Sequence, residues 1–530
     1  MDDPEGWLLS ADERGNPATA LPGWTAGNLA VPLVHGATYF DRLVDEVEQL
    51  KAGDHLFFAD WQGDADERLR EDGPTVAELF SAAIKKGVCV RGLVWRSHTQ
   101  RMSFTKTQNR KLDEAIEHAG GQVILDQRVR RGGSHHQKFV VLRHADDPSK
   151  DVAFAGGIDL CHSRRDDAEH GGDPQPQPMS KEYGPHVPWH DVQLMLRGPA
   201  VGVLDTVFRE RWDDPNSPDT DHPIAWLHDK LHHTRLKGDP LPPQLPAPPE
   251  CGPHVVQNLR TYPAIRPPYA FAPEGERSVA RGYSKAIRRA RRLVYLEDQY
   301  LWSRDVARLF AEALGANPDL HLVVVVPRYP DQDGAFAQRP EYIGRWEAID
   351  MCQRAGRGRV HAFDVENHAG TPVYVHAKVC VVDDVWVSVG SDNFNRRSWT
   401  HDSELSSAVL DTRRDPREPR DPGGSGDGAR IFARDLRLEL AREHLDLPDD
   451  GSEDECLLEP ERFVQTLEDR ARALDAWHAG GRHGPRPPGR LRPHRAERLP
   501  MHTRLWATPV YRLVDDPDGR PLRKRVKKEF

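Results

Sequence analysis

The segment Tyr374-Val375-His376-Ala377-Lys378, followed by Asp383 and then Gly390-Ser391-Asp392-Asn393-Phe394-Asn395-Arg396-Arg397-Ser398, decides how the chain is read. It has the form His-x-Lys-x4-Asp inside a valine-rich run, closed by a turn of small and amide-bearing residues. In a strand, side chains two apart share a face. His376 and Lys378 therefore point one way, while Val375, Ala377 and Val379 pack the other. An imidazole beside an ammonium, with Ser391 and Asn393 in the next turn, can hold and attack a phosphate. A lone pair of this kind is more often an incidental part of a buried strand.

The pair is not alone. His135-His136-Gln137-Lys138 opens a second apolar run, Phe139-Val140-Val141-Leu142, and Phe154-Ala155-Gly156-Gly157-Ile158-Asp159-Leu160 follows. His136 and His376 stand 240 positions apart, a repeat far too long for a solenoid. Two similar halves are implied. The helix and strand order supports this: helices are expected over 39–50, 74–86 and 109–118, strands over 55–61, 87–95 and 122–126. The second half repeats them, with helices over 279–291, 306–314 and 343–355 and strands over 293–301, 320–326 and 360–365. Trp61 precedes His136 by 75 positions and Gln299 precedes His376 by 77. The expected fold is α/β: two similar lobes, each a mixed sheet flanked by helices, with one active site at their interface.

Five segments are expected: an irregular arm (1–36), a first half-domain (37–235), a proline-rich linker (236–254), a second half-domain (255–412), and a loop with a helical extension (413–530). A surface loop within one compact domain is the equal alternative for the linker. The chain has 530 residues, enough to bury a substantial core, and a net charge of −10, which argues against a general nucleic-acid coat. Its six cysteines form no Cys-x-x-Cys, and Cys380 is expected as a core thiol. Neither a secretory leader nor an apolar run of membrane-spanning length is visible, so a cytoplasmic protein that visits membranes peripherally is expected.

With both motifs in view, the sequence resembles the phospholipase D superfamily, whose members carry two His-x-Lys-x4-Asp motifs on two halves of one site. His135-His136-Gln137-Lys138, Gly156-Gly157-Ile158-Asp159-Leu160, Trp189-His190-Asp191-Val192 and Leu296-Glu297-Asp298-Gln299-Tyr300 look like the version found in phosphatidylcholine-type enzymes. Arg143 stands where the first motif's Asp belongs, Asp298 where Asn is usual in the Glu-Asp-Gln segment, and Asp159 where the turn usually has Asn.

The resemblance implies hydrolysis of a phospholipid to phosphatidic acid and free head group through a phosphohistidine, with transfer to another alcohol as a further outcome. His136 is assigned as nucleophile and His376 as acid and base. Lys138 and Lys378 hold phosphoryl oxygens, with Ser391, Asn393, Gly157 and Asp159 at the phosphate. A carboxylate on each far ring nitrogen would set the tautomer: Glu404 is the natural orienter in the second half, and Asp191 its counterpart in the first. Asp383 is a structural support; Gln299 and Trp61 line the pocket or pack. His135, next to His136, points to the other strand face. No cofactor is expected, and no histidine spacing marks a metal. The basic runs 128–131 and 523–528 could touch anionic lipid or nucleic acid, although such runs are usually solvated. The alternatives are a nuclease or other phosphodiesterase of the same superfamily, a phosphatidyltransferase of the cardiolipin-synthase kind, and a non-catalytic phosphate-binding relative.

Overall fold

The computed structural model describes residues 4–96, 105–216, 237–527 and 529–530. Leu236 of the expected linker, Lys528 of the expected basic run and residues 217–235 of the expected first half-domain lie outside these. In chain order the strands are β1 (Thr25–Val34), β2 (His55–Asp60), β3 (Cys89–Trp95), β4 (Gln122–Asp126), β5 (Phe139–Arg143) and β6 (Val152–Gly156). They continue with β7 (Trp189–His190), β8 (Val192–Arg197), β9 (His254–Tyr262), β10 (Glu276–Arg277), β11 (Leu293–Asp298) and β12 (His321–Val325). The last are β13 (Val360–Val365), β14 (Tyr374–Val375), β15 (Lys378–Val382), β16 (Trp386–Gly390), β17 (Glu404–Asp411) and β18 (Leu491–Pro493).

One mixed sheet carries both lobes. Its order is β18-β13-β12-β11-β15-β16-β17-β9-β1-β8-β6-β5-β2-β3-β4, with β10 paired to β9. Outward from the β9–β1 junction the order is the same in both directions, so β17 answers to β8, β15 to β5 and β11 to β2. The helices follow the same symmetry. Gly36–Glu48, Val76–Lys85 and Thr105–Ala119 serve the first lobe as Ser278–Arg289, Arg304–Ala316 and Ala335–Gly356 serve the second. On the opposite face, Pro199–Trp212 follows β8 as Ile431–Leu445 follows β17. Alternation along the motif strand splits the core as period two requires: Val375, Ala377, Val379 and Val381 enter one apolar cluster, Cys380 and Val382 another.

The expected arm over 1–36 needs correction. Residues 25–34 form β1, which joins the two lobes: it pairs antiparallel with β8 and, near Thr25 and Asn28, with β9. Gly27, Asn28 and Pro32 hide it from a strand pattern. Pro32 is tolerated because it lies in the half of β1 where only β8 is paired. The proline-rich segment runs along the first lobe, where its Leu245 and Pro246 carbonyls accept from the Arg143 guanidinium.

Candidate active site

Two short parallel pairings bring the halves together. Tyr374 and Val375 of β14 lie beside Trp189 and His190 of β7, and the His376 and Ala377 amides donate to the His190 carbonyl at 2.8 and 3.1 Å. In the other half the His136 amide donates to Ser403 O at 2.9 Å, and the Ser403 amide to Ser134 O at 3.0 Å. Each histidine segment is thus stitched to the carboxylate segment of the opposite half.

The side chains follow. His376 Nδ1 lies 2.6 Å from Asp191 Oδ2, and His136 Nδ1 lies 2.9 Å from Glu404 Oε2. Sequence proximity suggests pairing within each half; the structure pairs them crosswise. Ser391 donates to the same Glu404 oxygen at 2.5 Å. With each Nδ1 held by a carboxylate, Nε2 is the nitrogen left for chemistry.

Lys138 and Lys378 stand two residues beyond the histidines, and each ammonium turns back toward its own histidine carbonyl. Lys138 Nζ lies 3.3 Å from Asp159 Oδ1 and 5.9 Å from the Trp61 ring centre. Lys378 Nζ donates to Gln299 Oε1 at 3.4 Å. Trp61 and Gln299, just past the ends of β2 and β11, are therefore counterparts; the Trp61 ring also meets His136 edge-on at 6.1 Å.

Burial and the Lys138 ammonium hold the His136 imidazole well below its usual range, and burial with Lys378 does the same to His376. Burial pushes the Asp191 and Glu404 carboxyls up. Lys378 is brought down to about 8, chiefly by burial. An arriving phosphate would oppose these shifts for the imidazoles and for Lys378, because its negative charge favours their protonated forms. His136 is the more exposed of the two imidazoles, at 16% of its side chain against 6% for His376.

Other residues sort differently. Asp159 accepts from the Trp61 and Gln62 amides at 3.1 and 3.3 Å while pairing with Lys138, so its carboxylate neutralises an ammonium instead of meeting a phosphate oxygen. Gly157 leaves room for a neighbour: an added Cβ would lie 2.1 Å from Asp191 Oδ1. Asn393 Oδ1 is buried beside the site without a hydrogen-bond partner among the described residues. Asp383 is remote from the chemistry, where it accepts from the Arg291, Arg292 and Leu293 amides at 2.7, 2.9 and 2.8 Å. In the first half Arg143 is buried between Asp151 and Asp205, at 2.7 and 2.8 Å. His135 is buried and meets Gln137 Oε1 at 3.3 Å.

Three neighbours were not singled out by the sequence reading. The Trp189 ring packs on His376 at 5.0 Å, the Arg164 guanidinium lies 4.0 Å from the Trp189 ring centre, and the Tyr374 hydroxyl accepts from Gln299 at 2.7 Å. Alternation was the available signal for Trp189 and Tyr374, each two residues before Asp191 and His376.

This arrangement of two His-x-Lys strands on one sheet defines a class. A family model described as phospholipase D matches residues 65–236, and one described as cardiolipin synthase, phospholipase D-like domain, matches 283–414. The chain belongs to the phospholipase D superfamily. Among curated relatives, phospholipase D beta 1 of Arabidopsis thaliana is 24% identical over 86% of this chain and 52% of its own length. Phospholipase D alpha 1 of Vigna unguiculata is 25% identical over 63% of this chain and 54% of its own. The chain thus spans little more than half of these relatives. A solved phosphatidylserine synthase of Haemophilus influenzae Rd KW20 shares the fold, with a TM-score of 0.53, 13% identity, and coverage of 86% of this chain and 96% of that one.

Proposed function

We propose that the protein is a phospholipase D-type phosphodiesterase that hydrolyses phospholipids to phosphatidic acid and the free head group. The observation that carries this reading is the crosswise pairing: two imidazoles, each oriented at Nδ1 by a buried carboxylate of the other half and each followed by a buried lysine.

In this reading His136 Nε2 attacks phosphorus, and the bond to the head-group oxygen breaks as His376 Nε2 delivers its proton to that oxygen. Lys138 and Lys378 hold the non-bridging oxygens, so charge built up in the transition state meets fixed cations in a dry site. Water then attacks the phosphohistidine, His376 takes the water's proton, and the P–N bond breaks to release phosphatidic acid. An alcohol in place of water gives phosphatidyl transfer. That second reading is favoured by the match of the second half to a family described as cardiolipin synthase, phospholipase D-like.

A lipid surface suits the outside of the molecule. Phe336, Leu505, Leu513, Leu522 and Val526 are at least 75% exposed. They are interleaved with Arg504, Arg512, Arg523, Lys524 and Arg525. Arg396 and Arg397, which follow the Ser391–Asn395 turn, bond the Arg512, Val514 and Asp516 carbonyls, so this face borders the site. Among the described residues no helix is long and apolar enough to cross a membrane.

The test is release of phosphatidic acid and free head group from mixed-lipid vesicles by wild type, His136→Ala and His376→Ala. Product from wild type, lost in both variants, is the expected result. Cleavage of single-stranded DNA or another diester, with every lipid untouched, would overturn the substrate.

A further inference from the structure

Directly behind the site, β7 and the residue that follows it send their side chains two ways. Trp189 and Asp191 face His376, while His190 points into a buried cluster that the proposed chemistry does not use. His190 there meets His35, His170 and Glu443, and their ligand atoms all lie within 4.8 Å of one another. The three imidazoles are at most 4% exposed, and Glu443 reaches solvent through 11% of its side chain. His35 Nε2, His170 Nε2 and His190 Nδ1 approach the Glu443 carboxylate at 2.6, 3.0 and 3.3 Å.

The outer nitrogens decide what the inner ones carry. His170 Nδ1 lies 3.0 Å from the Trp189 carbonyl, which can only accept, so that nitrogen is the donor. His190 Nε2 likewise donates to Glu297 Oε2 at 2.7 Å. In their neutral forms both rings therefore aim lone pairs at carboxylate oxygens, an arrangement that repels unless positive charge sits between them. His190 Nδ1 has no hydrogen-bond partner among the described residues.

A carboxylate or a carbonyl on the far nitrogen is how proteins orient an imidazole toward a metal. Glu297 is itself fixed, accepting from His444 Nε2 at 2.8 Å and from the Tyr295 hydroxyl at 2.5 Å. A dication would offset the Glu443 and Glu297 carboxylates, while Asp166, 3.8 Å from His170 Nδ1, is already held by the Asp167, Gly172 and Trp189 amides. Three imidazole nitrogens and one carboxylate suit a borderline ion of the zinc type.

We propose that His35, His170, His190 and Glu443 bind one divalent ion of the zinc type. The ion is structural, and it clamps the Ile431–Leu445 helix to the first lobe and stiffens the strand that presents Asp191. No sequence spacing reveals such a site, because its ligands are spread over 408 positions.

Full-length protein purified from zinc-supplemented cells is expected to carry about one ion per chain by elemental analysis. Stripped protein should take up Co2+ with the strong visible bands of a four-coordinate cobalt and should melt at a lower temperature until zinc is restored. His35→Ala and Glu443→Gln should each weaken zinc binding by more than the roughly 10–100-fold that loss of an outer-shell partner costs. Metal-free wild type that takes up neither ion would overturn the proposal and leave a protonated hydrogen-bond cluster. So would metal retained by the double variant H35A/H170A, or a cobalt spectrum of six-coordinate type. None of these readouts depends on turnover, so the proposed lipid chemistry can fail without touching this site.

Discussion

Asp191 Oδ2 lies 2.6 Å from His376 Nδ1, although 185 positions separate the two residues and they belong to opposite halves of the molecule. Glu404 and His136 repeat the relationship at 2.9 Å across 268 positions. Neither half can therefore set the tautomer of its own histidine. Asp191→Asn and Glu404→Gln should each lower kcat by about 10²–10⁴ while the far-ultraviolet circular dichroism stays unchanged. Mass spectrometry of acid-sensitive adducts should find the phosphatidyl group on the peptide holding His136. A phosphatidyl group on the His376 peptide instead would reverse the two roles.

How much of this was legible is clearest from individual residues. Period-two alternation around His376 and Lys378 and its recurrence at His136 and Lys138 carried the two-lobed fold, because each motif lies in a strand with an apolar back. The fusion of both lobes into one sheet was not legible, since Gly27, Asn28 and Pro32 break the apolar pattern of β1. The partners of the histidines cross between the halves for a physical reason. Glu404 is close to His376 in sequence, but the contacts are set by parallel pairing of 374–375 with 189–190 and of His135 with Ser403. Asp159 was read from its place in the turn, whereas its role follows from the Lys138 ammonium 3.3 Å away.

Lys378 sets an alkaline limit. Its pKa, brought down to about 8 chiefly by burial, means that the ammonium proposed to hold the phosphate is present below that pH and lost as pH rises through it. kcat/KM should therefore fall above about pH 8, as the group titrates in the free enzyme. Bound phosphate favours the ammonium, so the same limb in kcat should lie at higher pH. The residual activity of Lys378→Arg should lack this limb, because a guanidinium stays charged. A limb unmoved in that variant would assign it to another group.

The apolar face of the C-terminal segment predicts a separation of binding from turnover. Leu505 and Leu513 are 75% and 77% exposed beside arginines, and burying a leucine yields roughly 1.5 kcal/mol or more. The double variant L505D/L513D should sediment with anionic vesicles at least about tenfold less well. Its turnover of a short-chain monomeric phospholipid should match wild type. Equal vesicle binding by both proteins would remove this face from the membrane reading.

Asp383 separates support from chemistry within the second motif. Its two oxygens receive the amides of Arg291, Arg292 and Leu293 at the start of β11, the strand that leads to Gln299 and pairs with the Lys378 strand. Alanine there would leave three amides without their acceptor, and each buried unsatisfied donor costs about 1–3 kcal/mol where water cannot replace the partner. Asp383→Ala should therefore lose roughly 2–4 kcal/mol in urea unfolding. Because no Asp383 contact reaches either histidine, kcat of the folded fraction should stay within about twofold of wild type, against the losses of about 10² or more expected at Asp191. A large fall in kcat with unchanged unfolding would instead make this carboxylate part of the chemical machinery.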